Sequence, residues 1–259
     1  MPHASGTNSC EKVLQDLGLS ALQADPQLFV WHVASGCTQL AGRRGAQGAM
    51  GHKRLVLVLS THIDDFKGAG EAEYRRKLIA GFEKEFSALK IKEGSFECVG
   101  VMHEQDPRTF EVWTHQQHYV PHINDISCDM KALVPDEHPA DDDMRQLYMS
   151  LVGAMAWLIM TMPAICIYVA FLQRQTQAPT LGHVRRAHRL LRWIKRNKAR
   201  LGIWFRRLKP PLRVVTLSDS AFKAQDYHGL AMRGCVIVLA ELKPTGSTPQ
   251  GVASLRPGQ

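Results

Sequence analysis

Several features of secreted, zinc-binding and disulfide-stapled proteins are missing from this chain. Its six cysteines are scattered and no two are spaced as CxxC, which argues against a zinc ribbon or a disulfide framework. The first 18 residues contain neither a basic start nor an apolar run, so they do not read as a secretory signal. We therefore expect an intracellular protein, in the cytoplasm or the nucleus, with reduced thiols.

Acidic residues are absent from residues 182–209, a segment that contains eleven lysines and arginines. The whole chain has a formal net charge of +8, and subtracting these eleven charges leaves −3, so the basic excess is local. A concentrated positive segment favours a polyanionic partner, nucleic acid first and an anionic membrane surface second. Trp193, Trp204 and Phe205 lie among the cations, where they either stack on bases or belong to a core.

The basic segment opens with an amphipathic pattern that predicts a helix over residues 181–198. Val184, Ala187, Leu191 and Ile194 recur at helical spacing and form its apolar face. The basic side chains are candidates for binding the nucleic-acid backbone, whereas a solvated helix face and a juxtamembrane anchor are the alternatives. The candidate nucleic-acid-binding residues are Arg185, Arg186, Arg189, Arg192, Lys195 and Arg196.

Charge is also absent from residues 146–173, a stretch of 28 residues that is long enough to span a bilayer. A single membrane span at 147–172 is therefore one alternative. Pro163 argues against it, because proline at a first helical turn, with Thr161 as a cap, would divide the stretch into two short helices. We favour the two helices, and with them a chain that does not cross the membrane.

Two adjacent aspartates follow an apolar run. Residues 55–59 are continuously apolar and predict a buried strand, after which Asp64 and Asp65 stand side by side. Two neighbouring carboxylates repel each other, and Mg²⁺ relieves that repulsion because it prefers hard oxygen ligands. A solvated turn is the alternative, since aspartate is common where strands end.

An ordered set of motifs resembles copia-type retrotransposon reverse transcriptases over most of residues 11–240. The string THIDDFKGAG at 61–70 is similar to the YVDD box of that family, and FECVGVMHEQD at 96–106 to a later strand. SLVGAMAWLIMTMPAI at 150–165 resembles a helical segment in which the family has Arg and Asp where this chain has Met162 and Ala164. RVVTLSDSAF at 213–222 resembles the first RNase H hairpin, with Asp219 matching its first metal-binding aspartate.

The resemblance implies an α/β (α+β) fold assembled from parts of a polymerase. These are the C-terminal part of the reverse-transcriptase palm at 1–128, thumb and connection helices with the basic helix at 129–210, the start of an RNase H-like domain at 211–243, and a disordered tail at 244–259. It implies Mg²⁺ as cofactor and Asp64, Asp65 and Asp219 as catalytic, metal-binding residues. An RNA/DNA template-primer or hybrid is the implied ligand, and the rest of a Pol polyprotein is an implied partner.

Two departures from the family pattern concern catalysis. The palm aspartate that precedes Ala-Phe-Leu-Asn-Gly in the family has no counterpart in these 259 residues, nor do the later RNase H carboxylates. Two-metal catalysis needs those ligands to hold both ions about 4 Å apart. We therefore expect neither polymerisation nor hybrid cleavage from this chain alone. The other hypotheses are a non-catalytic nucleic-acid binder that uses the basic helix, and a single-span membrane protein.

Overall fold

A computed structural model divides the chain into two compact units, Met1–Lys92 and Glu93–Gln259. It describes residues 5–34, 53–62, 65–126, 134–220 and 233–242. The helices described there are α1 (Ser5–Asp16), α2 (Ala72–Phe86), α3 (Asp142–Leu158), α4 (Cys166–Gln173) and α5 (Leu181–Asn197). The strands are β1 (Leu19–Ala21), β2 (Leu28–Ala34), β3 (Lys53–His62), β4 (Asp65–Gly70), β5 (Ser95–Cys98), β6 (Val101–Gln105), β7 (Val112–His115), β8 (Ile203–Phe205), β9 (Leu212–Ser220) and β10 (Arg233–Glu241).

The first unit is an antiparallel four-stranded sheet with two helices. The strands pair in chain order, β1-β2-β3-β4, and the apolar run at 55–59 lies in β3, where Leu57 and Leu59 are buried. The buried strand predicted there is confirmed. Leu14 of α1 and Phe82 of α2 complete the core over this sheet. Strand β4 lies so close to β3 that a Cβ on Gly70 would come within 2.6 Å of the Val56 carbonyl oxygen.

The second unit contains an antiparallel sheet of order β5-β6-β7-β8. The chain reverses between β5 and β6 at Val99 and Gly100. Both residues have positive φ, 49° and 67°, which is the geometry of a tight hairpin turn. After β7 the chain forms one 3₁₀ turn, Val120–His122.

Helices α3, α4 and α5 pack around one core in the second unit, and α3 and α4 divide the uncharged stretch between them. Pro163 opens a 3₁₀ turn, Pro163–Ile165, so the break that proline predicts is present. Thr161 does not cap a helix, because its hydroxyl donates to Gln116 Oε1 at 2.9 Å in the interior. Tyr148 of α3 joins the two helices by donating its hydroxyl to the carbonyl oxygen of Leu172, at 2.7 Å.

Strands β9 and β10 form a long antiparallel hairpin. Nine residue pairs run from Leu212 opposite Glu241 to Ser220 opposite Arg233. Within the described residues these two strands pair only with each other. Both faces carry exposed apolar side chains, such as Leu217 on one face and Ile237 on the other.

The fold is therefore a mixed α/β arrangement with several antiparallel sheets, which confirms the expected class at that level. The assignment of its parts to a palm, a thumb and an RNase H domain, with limits at 128, 210 and 243, stays a prediction. The tail predicted at 244–259 lies outside the described residues.

Candidate nucleic-acid interface

Helix α5 has one face in the core and the opposite face in solvent. Val184, Ala187, Leu191 and Ile194 are all fully buried, so the predicted apolar face is confirmed. At the first turn, His183 Nδ1 accepts a hydrogen bond from the Thr180 backbone N–H at 3.1 Å. That acceptor role requires a neutral imidazole. Burial, followed by the nearby Arg186 charge, lowers the pKa of His183 against an opposing effect of Asp136.

The outward face of α5 carries an arginine stripe, which we define as Arg189, Arg192 and Arg196. Their spacings of three and four residues place them on one side of the helix, opposite Leu191. All three are exposed, and none has an ion-pair partner within the described parts of the chain. The stripe is therefore a line of positive charge that an external anion can reach.

Three other candidate residues of α5 have partners within the protein. Arg185 forms an ion pair with Asp136 and donates to the carbonyl oxygen of Val134 at 2.7 Å. Lys195 lies 3.0 Å from a carboxylate oxygen of Asp125. These contacts hold α5 against earlier segments.

The third of these residues, Arg186, lies over the Phe171 ring, 5.9 Å from its centroid. Such a contact leaves the guanidinium at the surface, because the ring covers only one of its faces. Arg186 is exposed and stands at the edge of the arginine stripe.

The aromatic residues among the cations have different environments. Trp193 is 45% exposed on the outward face of α5, so it does not belong to the core. Trp204 of β8 packs against Trp113 of β7, with ring centroids 4.9 Å apart. Phe205 ends β8 and is 57% exposed. Trp193 and Phe205 are thus the most exposed aromatic side chains in this segment, followed by Trp204 at 36%.

The two described candidate catalytic aspartates, Asp65 and Asp219, lie in different hairpins. Asp64 is outside the described residues, whereas Asp65 is the first residue of β4, exposed and paired across the turn with His62. Asp219 lies in β9 opposite Gly234 and is also exposed. Among the described residues, no group of three or more histidine, cysteine, aspartate or glutamate side chains is close enough to hold a metal ion.

A single described carboxylate at the β3–β4 turn is less than the ligand set that Mg²⁺ takes in proteins. Mg²⁺ therefore stays a prediction that rests on the Asp64–Asp65 sequence, and we derive no chemical step from it.

The membrane alternative concerns α3 and α4. No helix in the described part of the chain combines the length and the apolar character needed to cross a bilayer. Several apolar side chains of these helices are nevertheless exposed, among them Ile167 and Tyr168.

Comparison with known proteins gives no family for this chain. No protein-family model, curated protein or solved structure matches it. The likeness to copia-type reverse transcriptases therefore rests on the sequence motifs, and the nucleic-acid interface on the geometry of α5.

Proposed function

We propose that this chain is a fragment of a copia-type reverse transcriptase lineage that binds RNA or DNA along helix α5 and is catalytically inactive by itself. The observation that carries the binding proposal is the arginine stripe on the outward face of a helix whose inward face is fully buried. Because the core fixes the helix, the three arginine positions are held in line without help from a ligand. A phosphate backbone is the ligand whose regular negative charges suit such a line.

The expected binding is electrostatic and depends strongly on salt. Each phosphate that a cation neutralises contributes roughly −0.7 (single strands) to −0.9 (duplex) to the slope of log K against log salt concentration. If Arg189, Arg192 and Arg196 each contact one phosphate, their removal reduces the magnitude of that slope by about 2 to 3.

The binding test compares two triple variants that lose the same charge. Arg189→Gln, Arg192→Gln and Arg196→Gln together remove the stripe, whereas Lys84→Gln, Lys90→Gln and Lys92→Gln remove three exposed charges from the first unit. Fluorescence anisotropy with a labelled oligonucleotide at several salt concentrations gives the affinity and the slope. We expect the stripe variant to lose both affinity and slope and the lysine variant to retain them. Equal losses in the two variants would mean that α5 is not the binding surface.

The ancestry proposal is supported by the position of Asp65 at the start of β4, where it pairs with His62 at the end of β3, since a YVDD-like pair is expected where two antiparallel strands are joined. Primer extension with Mg²⁺, template and deoxynucleotides tests the statement that the chain alone is inactive. We expect no extension product. Robust extension that disappears in Asp64→Ala would overturn the statement and establish a working polymerase site.

An anionic membrane is the other polyanion that fits the stripe. The exposed Ile167 and Tyr168 of α4 favour testing it, because apolar side chains near basic ones are typical of membrane-surface helices. Sedimentation with phosphatidylserine vesicles distinguishes the two partners. Vesicle binding that exceeds oligonucleotide binding at the same salt would favour the membrane.

A further inference from the structure

An exposed tryptophan stands within the arginine stripe. Trp193 lies four residues after Arg189 and three residues before Arg196, so its indole is on the same side of α5 as both guanidinium groups. It is 45% exposed, whereas its neighbour Ile194 is fully buried. A large aromatic surface is thus offered to solvent between positive charges.

The other described tryptophans make contacts within the protein, although Trp157 and Trp204 are also 39% and 36% exposed. Trp31 contacts Tyr74, with ring centroids 5.2 Å apart, and Trp113 contacts Trp204. Trp157 lies over Gly100, where an added Cβ would come within 3.3 Å of the indole. Trp193 has no ring or cation–π contact among the residues that the structure describes.

The position of Trp193 is fixed by the helix around it. Ile194 and Leu191 anchor this turn of α5 in the core, and Asn197 Nδ2 donates to the Trp193 carbonyl oxygen at 2.8 Å. The backbone at Trp193 is therefore fixed with its side chain on the outward face before any ligand arrives. Preorganisation of this kind lowers the entropy lost on binding.

We infer that α5 prefers single-stranded to double-stranded nucleic acid, an inference that rests on the proposed function. In this arrangement Trp193 stacks on one base while Arg189 and Arg196, about 10 Å apart along the helix axis, hold phosphates on either side of it. A duplex cannot use the indole in this way, because its base faces are already stacked on each other. The arginine stripe alone would bind a duplex through its phosphates, so the indole is the group that distinguishes the two ligands.

The test measures binding of labelled dT20, U20 and a 20-base-pair duplex to the full chain at matched salt. Replacement of Trp193 by leucine should weaken binding of the single strands about 5- to 150-fold, which corresponds to the roughly 1 to 3 kcal/mol that one stacked base contributes. The salt slope should not change, because no charge is removed. Trp193→Phe should retain most of the affinity, since phenylalanine also stacks.

Tyr168→Leu is the matched control, because it removes an exposed aromatic ring from α4 in the same unit. Its affinity for single strands should equal that of the wild type, and circular dichroism should show that all variants are folded. Tight binding of either dT20 or U20 supports the inference, and their ratio tells whether RNA or DNA is the better ligand.

Two failures can be told apart. If the wild type binds neither single strands nor duplex, the proposed function is wrong and the inference falls with it. If it binds but prefers the duplex, or if Trp193→Leu leaves single-strand affinity unchanged, backbone binding stands and the single-strand inference is overturned.

Discussion

Tyr148 offers a direct test of how α3 and α4 pack, because its hydroxyl joins them in the interior. The side chain is fully buried, and the hydroxyl donates to the Leu172 carbonyl oxygen at 2.7 Å. Tyr148→Phe removes the hydroxyl and keeps the ring. The matched control is Tyr168→Phe, which makes the same change on a side chain that is 60% exposed.

The loss of unfolding free energy expected for Tyr148→Phe at neutral pH depends on the hydrogen bonds that the Leu172 carbonyl oxygen keeps. A typical buried hydrogen bond contributes about 0.5 to 1.5 kcal/mol, and more is lost when a buried partner is left unsatisfied. Here the carbonyl oxygen also accepts from the Gln175 backbone N–H at 3.1 Å, so it keeps a partner in the variant. We therefore expect Tyr148→Phe to lower the free energy of unfolding by about 1 kcal/mol.

At alkaline pH the order of the two proteins should change. Burial raises the pKa of Tyr148 from 10.0 to about 12, against an opposing effect of the Arg186 charge. The folded state then keeps the phenol protonated while the unfolded state ionises. The free energy of unfolding therefore carries no penalty from Tyr148 below pH 10, and it falls as the pH rises from 10 to 12. At about 1.4 kcal/mol per pKa unit, the loss is at most about 3 kcal/mol, and the phenylalanine variant does not experience it.

Urea denaturation followed by circular dichroism measures both effects. The difference in the free energy of unfolding between wild type and Tyr148→Phe should shrink from pH 9 to pH 11. Wild type and Tyr168→Phe should have the same free energy of unfolding across this range. Other groups that titrate in this range act equally on all three proteins. Identical curves for Tyr148→Phe and wild type at pH 7, with no divergence at higher pH, would refute the packing of α3 on α4 through this residue.

Three further predictions concern single residues. The wild type should lose stability as the pH falls below 6.5, because the pKa of His183 is lower in the folded than in the unfolded state and protonation therefore favours unfolding. His183→Gln should remove this part of the loss, and urea midpoints at pH 7.5 and 5.5 measure it. Arg185→Gln should lower the unfolding free energy by about 1 kcal/mol with little effect on oligonucleotide affinity. Arg189→Gln should lower the oligonucleotide affinity with little effect on the unfolding free energy. Gly70→Ala should cost about 1 to 3 kcal/mol in urea denaturation, because its Cβ would meet the Val56 carbonyl.

Elements with a regular apolar period could be predicted from the sequence. The buried face of α5 and the long strands β3, β9 and β10 follow from helical spacing or from continuous apolar runs. The reversal at Val99 could not be predicted in this way, because a β-branched residue at positive φ is unfavourable and is held there by the rest of the fold. The contact of Gln116 could not be predicted either, because its Oε1 accepts from the Thr161 hydroxyl, which lies 45 residues later.

The candidate interface was only partly visible in the sequence. Composition locates the positive segment, and periodicity gives the outward face of α5. Neither shows which cations are neutralised, because Asp136 and Asp125 lie 49 and 70 residues before the groups they pair with, Arg185 and Lys195. The structure thereby narrows a six-residue candidate set to Arg189, Arg192 and Arg196, with Arg186 beside them.

Met162 and Ala164, which stand where the family that 150–165 resembles has an arginine and an aspartate, lie in different environments. Met162 is 1% exposed and belongs to the core around α3, α4 and α5. An arginine at that position would have to bring its own partner into the core, since an unpaired buried charge is costly. Ala164, where the family has the aspartate, is exposed, so a carboxylate there would lie at the surface and not beside a charge buried at 162. Methionine at 162 therefore suits this core better than the family's arginine, and the missing aspartate at 164 removes no packing.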